Sequence, residues 1–135
     1  MLVVVLASCT KSPDDEARPL MEKIEDFYAK GQYRFVLDSI DRLRADHPRA
    51  IECRKKALTL WQDASLKLAQ HDIALTDSAL QATKAQIAAT TDLLTRNKLG
   101  VRRDSLQARY DAMCGVVRMI HARQKQYQQR AESRK

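Results

Sequence analysis

The stretch Leu66-Lys67-Leu68-Ala69-Gln70-His71-Asp72-Ile73-Ala74-Leu75-Thr76-Asp77-Ser78-Ala79-Leu80-Gln81-Ala82-Thr83-Lys84-Ala85-Gln86-Ile87-Ala88-Ala89-Thr90 decides the fold. Leu66, Ile73, Leu80 and Ile87 recur every seven residues, and Leu94 extends the series. Three positions after the first four stand Ala69, Thr76, Thr83 and Thr90. A large residue followed by a small one, repeated each heptad, marks the seam of one helix lying along another. From Ala50 to Lys98 there is neither Gly nor Pro, which predicts a helix of about 50 residues and about 75 Å.

Outward from that stretch, Asn97-Lys98-Leu99-Gly100 predicts a turn. The last helix then carries Leu106, Met113, Ile120 and Tyr127 every seven residues, with Tyr110 and Val117 four residues after two of them. Two stripes flanking a short turn predict an antiparallel coiled-coil hairpin over residues 50–135. A turn near residue 99 sets Cys114 across from about residue 84 and leaves Cys53 about 45 Å away, so the two cysteines are expected not to pair.

Composition agrees. Aromatic residues are 5% of the chain, and three Gly and three Pro are too few for a turn-rich β fold. The net charge of +7 is concentrated: residues 101–135 hold nine Lys/Arg against Asp104, Asp111 and Glu132. Such a helix can meet anionic groups through Arg102, Arg103, Arg109, Arg118, Arg123, Lys125, Arg130 and Arg134, together with Lys135.

Nearer the N-terminus, Ser12 reads as a helix cap, with Pro13 at the first helical position and Asp14, Asp15 and Glu16 at the positive end. Leu20, Met21, Ile24, Phe27 and Tyr28 predict the inner face of a first helix ending at Gly31. Val36, Leu37, Ile40 and Leu43 do the same for a second, which breaks at Asp46-His47-Pro48. Gly31, Tyr33, Val36, Ile40 and Pro48 stand at offsets that resemble a tetratricopeptide repeat. The Tyr33-Arg34 and Asp46-His47-Pro48 wording is similar to repeats of outer-membrane assembly lipoproteins. Val36 departs from the alanine such repeats favour. A peptide-binding groove needs about three stacked repeats, and one is present, so residues 16–48 are expected to form a structural hairpin. Trp61 reads as a plug between this hairpin and the third helix. The expected fold is all-α: a tetratricopeptide-like hairpin followed by the coiled-coil hairpin, in a single helical domain over 16–135.

Residues 1–7 are apolar and lead into Ser8-Cys9. Leu6-Ala7-Ser8-Cys9 resembles the lipobox of bacterial lipoproteins, which implies cleavage before Cys9 and acylation of its thiol and amine. Residues 1–8 then read as a signal peptide, shortened at its start, with the true start codon upstream, and 9–15 as a lipidated linker. Thr10, rather than an aspartate, resembles outer-membrane sorting, and the acids after Lys11 resemble the surface-export signal of Bacteroides-type lipoproteins.

No metal-ligand spacing, nucleophile elbow or phosphate-cradling loop occurs, and His47, His71 and His121 stand apart. The expectation is an outer-membrane lipoprotein of the cell envelope without catalysis or cofactor beyond the lipid on Cys9. It would sit on the membrane by its anchor and present a helical surface to an envelope protein; a homo-oligomer is also compatible with the seams. The alternative is a module binding polyanions or anionic lipid through the basic last helix. Nucleic acid is not the expected partner of an exported chain.

Overall fold

A computed structural model of the chain describes residues 10–134. The described residues form four helices and no strand: α1 (Pro13–Ala29), α2 (Tyr33–Asp46), α3 (Ile51–Ala89) and α4 (Leu93–Glu132). They fall into two compact units, one up to Ala64 and one from Ser65 onward, and α3 contributes to both.

In the first unit, α1 begins where the sequence places its cap. Ser12 Oγ accepts the Asp15 N–H at 3.1 Å, and the Asp15 carboxylate accepts the Ser12 N–H at 3.3 Å, a reciprocal capping box. Pro19 lies inside α1 on an exposed position, where its ring removes one helix hydrogen bond. The helix ends at Gly31, whose φ of 70° is open to glycine at little cost. Its N–H donates to Tyr28 O at 3.0 Å, and Gln32 N–H donates to Phe27 O at 2.9 Å. This pair of bonds satisfies the last carbonyls and turns the chain into α2. Phe27 stacks on Phe35 at 5.4 Å, and Tyr28 meets Tyr33 edge-on at 5.9 Å, fastening the two helices across the turn.

Met21, Ile24, Val36, Ile40 and Leu43 are buried, as their spacing predicts. They meet Ala50, Ala57 and Ala64 of the third-helix segment, three buried alanines seven residues apart. Small side chains on that line let α3 approach the α1–α2 pair closely. Trp61 packs against this cluster and remains half-exposed, with the Arg44 guanidinium 5.5 Å from its ring centre. Tyr28 donates to the Asp63 carboxylate, and Lys56 pairs with Glu25, adding two polar ties between α1 and α3.

In the second unit, α3 and α4 are long and packed against each other as a hairpin. The α3 seam is the one its heptads predict: Thr76, Leu80 and Thr83 are buried, and Leu66, Ala69, Ile73, Ile87 and Thr90 are half-buried. On α4, Ile120 is buried and Leu106, Tyr110, Met113 and Val117 are half-buried. The charge of Asp77 on α3 acts on the Tyr110 phenol of α4, so the two stand on facing stretches of the hairpin. An antiparallel match of the two stripes that keeps Tyr110 near Asp77 sets Leu80 near Leu106, Ile73 near Met113, Ala69 near Val117 and Leu66 near Ile120. Thr83 satisfies its buried hydroxyl by donating to Ala79 O at 2.8 Å.

The turn is not at Asn97–Gly100. α3 stops at Ala89, the connection is Thr90-Thr91-Asp92, and Gly100 lies within α4. The cause is local: Asp92, in an extended conformation, accepts the Thr95 N–H at 2.8 Å and caps α4. A cap outweighs a single helix glycine, which costs about 1 kcal/mol relative to alanine. Three expectations shift with it. Leu94 belongs to α4 and is 62% exposed, not part of the α3 stripe. With the earlier reversal, Cys114 falls opposite a lower-numbered part of α3 than residue 84. Tyr127 is 49% exposed and does not continue the buried stripe of α4. Cys53 and Cys114 are both free thiols.

This register separates two leucines that the heptad count treats alike. Leu80→Ala removes a side chain 2% exposed and is expected to destabilise by about 2–5 kcal/mol. Leu94→Ala should change stability by no more than about 0.5 kcal/mol. Thermal and urea melts followed by circular dichroism read both, and equal losses would contradict the observed turn.

Candidate functional site

Cys9 and the lipobox residues Leu6, Ala7 and Ser8 lie outside the described residues. Among the described residues no helix is long and apolar enough to cross a membrane, and no group of three His, Cys, Asp or Glu side chains is placed to hold a metal ion. His71 and His121 are exposed on separate helices.

The basic residues are arranged on α4 by heptad position. Arg102, Arg109, Arg123 and Arg130 differ by seven or fourteen and so share one line along the helix; Val116 occupies the intervening place. The line runs for about 42 Å at 1.5 Å per residue. All four arginines are exposed, and none makes an ion pair with a described residue. Arg118 and Lys125 stand on a different line, at seven-residue spacing with Asp104, Asp111 and Glu132, where the two signs alternate in blocks. Arg103 pairs with Asp104 at 2.8 Å. Arg134 is exposed beyond the end of the helix. The eight cations grouped by composition therefore divide into an unpaired arginine line, a mixed-charge line and two outliers.

Between the two lines, from Val101 onward, the outward face of α4 consists of Val101, Ser105, Ala108, Ala112, Gly115, Met119, Ala122, Gln126 and Gln129, none of them charged; Lys98, seven residues before Ser105, stands on the same face near the helix start. Val101 is 73% exposed and Met119 59%. The far side of a helix packed in a hairpin ordinarily carries its charges there. The signal was present in the sequence, but it required reading α4 by rows rather than by total charge.

A second feature escaped the sequence. Asp14 of α1 accepts the backbone N–H of Cys53 at 2.9 Å, in the first turn of α3, whose preceding residue Ala50 has no side chain to cap with. Cys53 Sγ in turn donates to the Asp14 carbonyl at 3.7 Å. The Cys53 thiol is pushed up from its ordinary 9.0, first by burial and then by its hydrogen bond to Asp14 and the charge there. A raised thiol is a poor nucleophile at neutral pH. Tyr110 is likewise held protonated to higher pH, first by the Cys114 sulfur beside it and then by Asp77. The shallow cleft lined by Asp14, Arg18, Glu22, Cys53 and Lys56 is crossed by the Lys56–Glu25 pair.

Because the folded thiol holds its proton more tightly, its contribution to stability is full below pH 9.0 and is lost as pH rises through the raised value. Asp14→Ala removes the cap on α3, with an expected cost of about 1 kcal/mol, and lowers the Cys53 pKa toward 9.0. Alkylation of Cys53 by iodoacetamide at pH 8 should be slow in the parent chain and faster in the variant; an unchanged rate and melting point would dismiss the cap. Comparison with family models, with curated proteins and with solved structures returns no match to this chain.

Proposed function

We propose that the chain is a membrane-anchored adaptor, acylated at Cys9, whose paired long helices offer a contact surface to another protein of the cell envelope. The observation that carries this reading is α4 itself. One side of its 40 residues is spent on the hairpin seam, and the opposite side exposes an uncharged face with an unpaired arginine line beside it. Apolar and small residues held outward on a rigid helix are suited to contact and ill suited to solvation alone. The anchoring half of the reading rests on Leu6-Ala7-Ser8-Cys9, followed by the short polar segment that leads into the Ser12 cap. Several acyl chains on one cysteine hold a protein far more firmly than a single chain, at about 0.8 kcal/mol per buried methylene.

Mass spectrometry of the protein from intact bacterial cells tests the anchor. The expected species begins at Cys9 and carries a diacylglycerol with a further acyl group, and Cys9→Ser should move the protein out of the membrane pellet. An unmodified chain of full length in the soluble fraction would overturn the reading.

A further inference from the structure

We propose that the outward face of α4 receives a helix from a different protein, one whose acidic residues recur every seven positions opposite Arg102, Arg109, Arg123 and Arg130. This rests on the adaptor reading and adds the surface and the chemistry of its partner.

The argument begins with the row. Four like charges on one line repel one another, and no described acid relieves them. The acids of α4, Asp104, Asp111 and Glu132, all lie on the other line, across the uncharged face. The row therefore offers a positive edge, interrupted at Val116, to whatever lies along the face. Its repeat is seven, not the 3.6-residue period of a straight helix. A seven-residue line keeps a constant position only relative to a left-handed supercoil, the geometry that the heptad seam of α3 and α4 specifies. A third helix joining that supercoil stays beside the row over its whole length, whereas a flat anionic surface meets one part of it and loses the rest. The face between the lines offers little steric resistance to such a helix: Ala108, Ala112, Gly115 and Ala122 are small, and Val101 and Met119, with Val116 of the arginine line beside them, supply exposed apolar contact.

Charge complementarity also argues against a second copy as occupant. The line of α4 that carries Asp104, Asp111 and Glu132 also carries Arg118 and Lys125, so no line of a second copy's α4 answers all four arginines. An antiparallel self-pairing would set the arginine line of one copy against that of the other.

The test uses the full chain without its acyl group and a synthetic helical peptide of about 30 residues, long enough to follow the row. The peptide carries Glu at every seventh position beside a seam of Ala and Leu; a control peptide carries Lys instead. The Glu peptide should bind saturably, and more weakly as salt rises. Reversal of all four arginines to Glu should weaken it by roughly tenfold or more and transfer the preference to the Lys peptide. Arg109→Gln with Arg123→Gln should move affinity in the same direction by a smaller step, with helicity checked by circular dichroism. Arg118→Glu with Lys125→Glu, on the other line, should leave it largely unchanged. Failure of the Glu peptide to bind, indifference to the reversal, or equal loss on the second line would each overturn the proposal. So would binding confined to phosphatidylglycerol vesicles, which would assign the row to a lipid surface. A protein found without acyl chains in cells would sink the anchor and leave this result standing.

Discussion

The carboxylate of Asp92, closed on the Thr95 N–H, fixes where the chain reverses and thereby which residues of α3 and α4 can face each other. In a two-helix hairpin the turn sets the register, and the register decides which apolar side chains find a partner. With the reversal at Thr90–Asp92, α3 and α4 become nearly equal, at 39 and 40 residues, and the leucines and isoleucines of both stripes come level. The alternation of bulk follows: Tyr110 faces the side occupied by Thr76, and Val117 that occupied by Ala69. The threonines are compatible with burial because a helix carbonyl one turn back accepts the hydroxyl, as Ala79 O does for Thr83.

From that register comes the division of α4 into rows. The side turned to α3 is apolar, one flank carries unpaired arginines, the other carries both signs, and the outermost strip carries none from Val101 onward. A helix whose only task was to close the hairpin would place its solubilising charges on that outermost strip. Their displacement to the flanks leaves room for contact and puts a fixed positive edge beside it. The first unit has a different logic. There Ala50, Ala57 and Ala64 bring α3 close to α1 and α2, and Asp14 supplies from α1 the cap that α3 lacks.

Much of this was legible from periodicity. Ser12, Gly31 and the inner faces of α1 and α2 follow from capping chemistry and spacing, and the α3 seam from Leu66 to Thr90 follows from its heptads. The reversal was misread because Gly100 is a conspicuous residue and Asp92 is not. Yet Asp92 stands directly before Leu93-Leu94, which is the ordinary place of a cap. That slip carried Leu94, Cys114 and Tyr127 with it. The buried alanines of α3 were hidden by their small size, since apolar stripes are sought among large residues. The Asp14–Cys53 bond joins positions 39 apart and has no local signature. The arginine line was visible only in part: composition showed the excess of charge, whereas its separation from Arg118 and Lys125 needed the helix boundaries.

The position of the reversal is open to direct measurement. Nitroxide labels at Asp77→Cys and Gln107→Cys, with the native cysteines replaced by serine, occupy facing flanks of the hairpin if the chain turns at Asp92. The backbones should then lie about 10 Å apart, with strong dipolar broadening of the spectrum. A reversal at Gly100 would slide the two sites apart by about 22 Å along the helix axis. A spectrum without broadening would contradict the register on which the rows of α4, and the surface they form, depend.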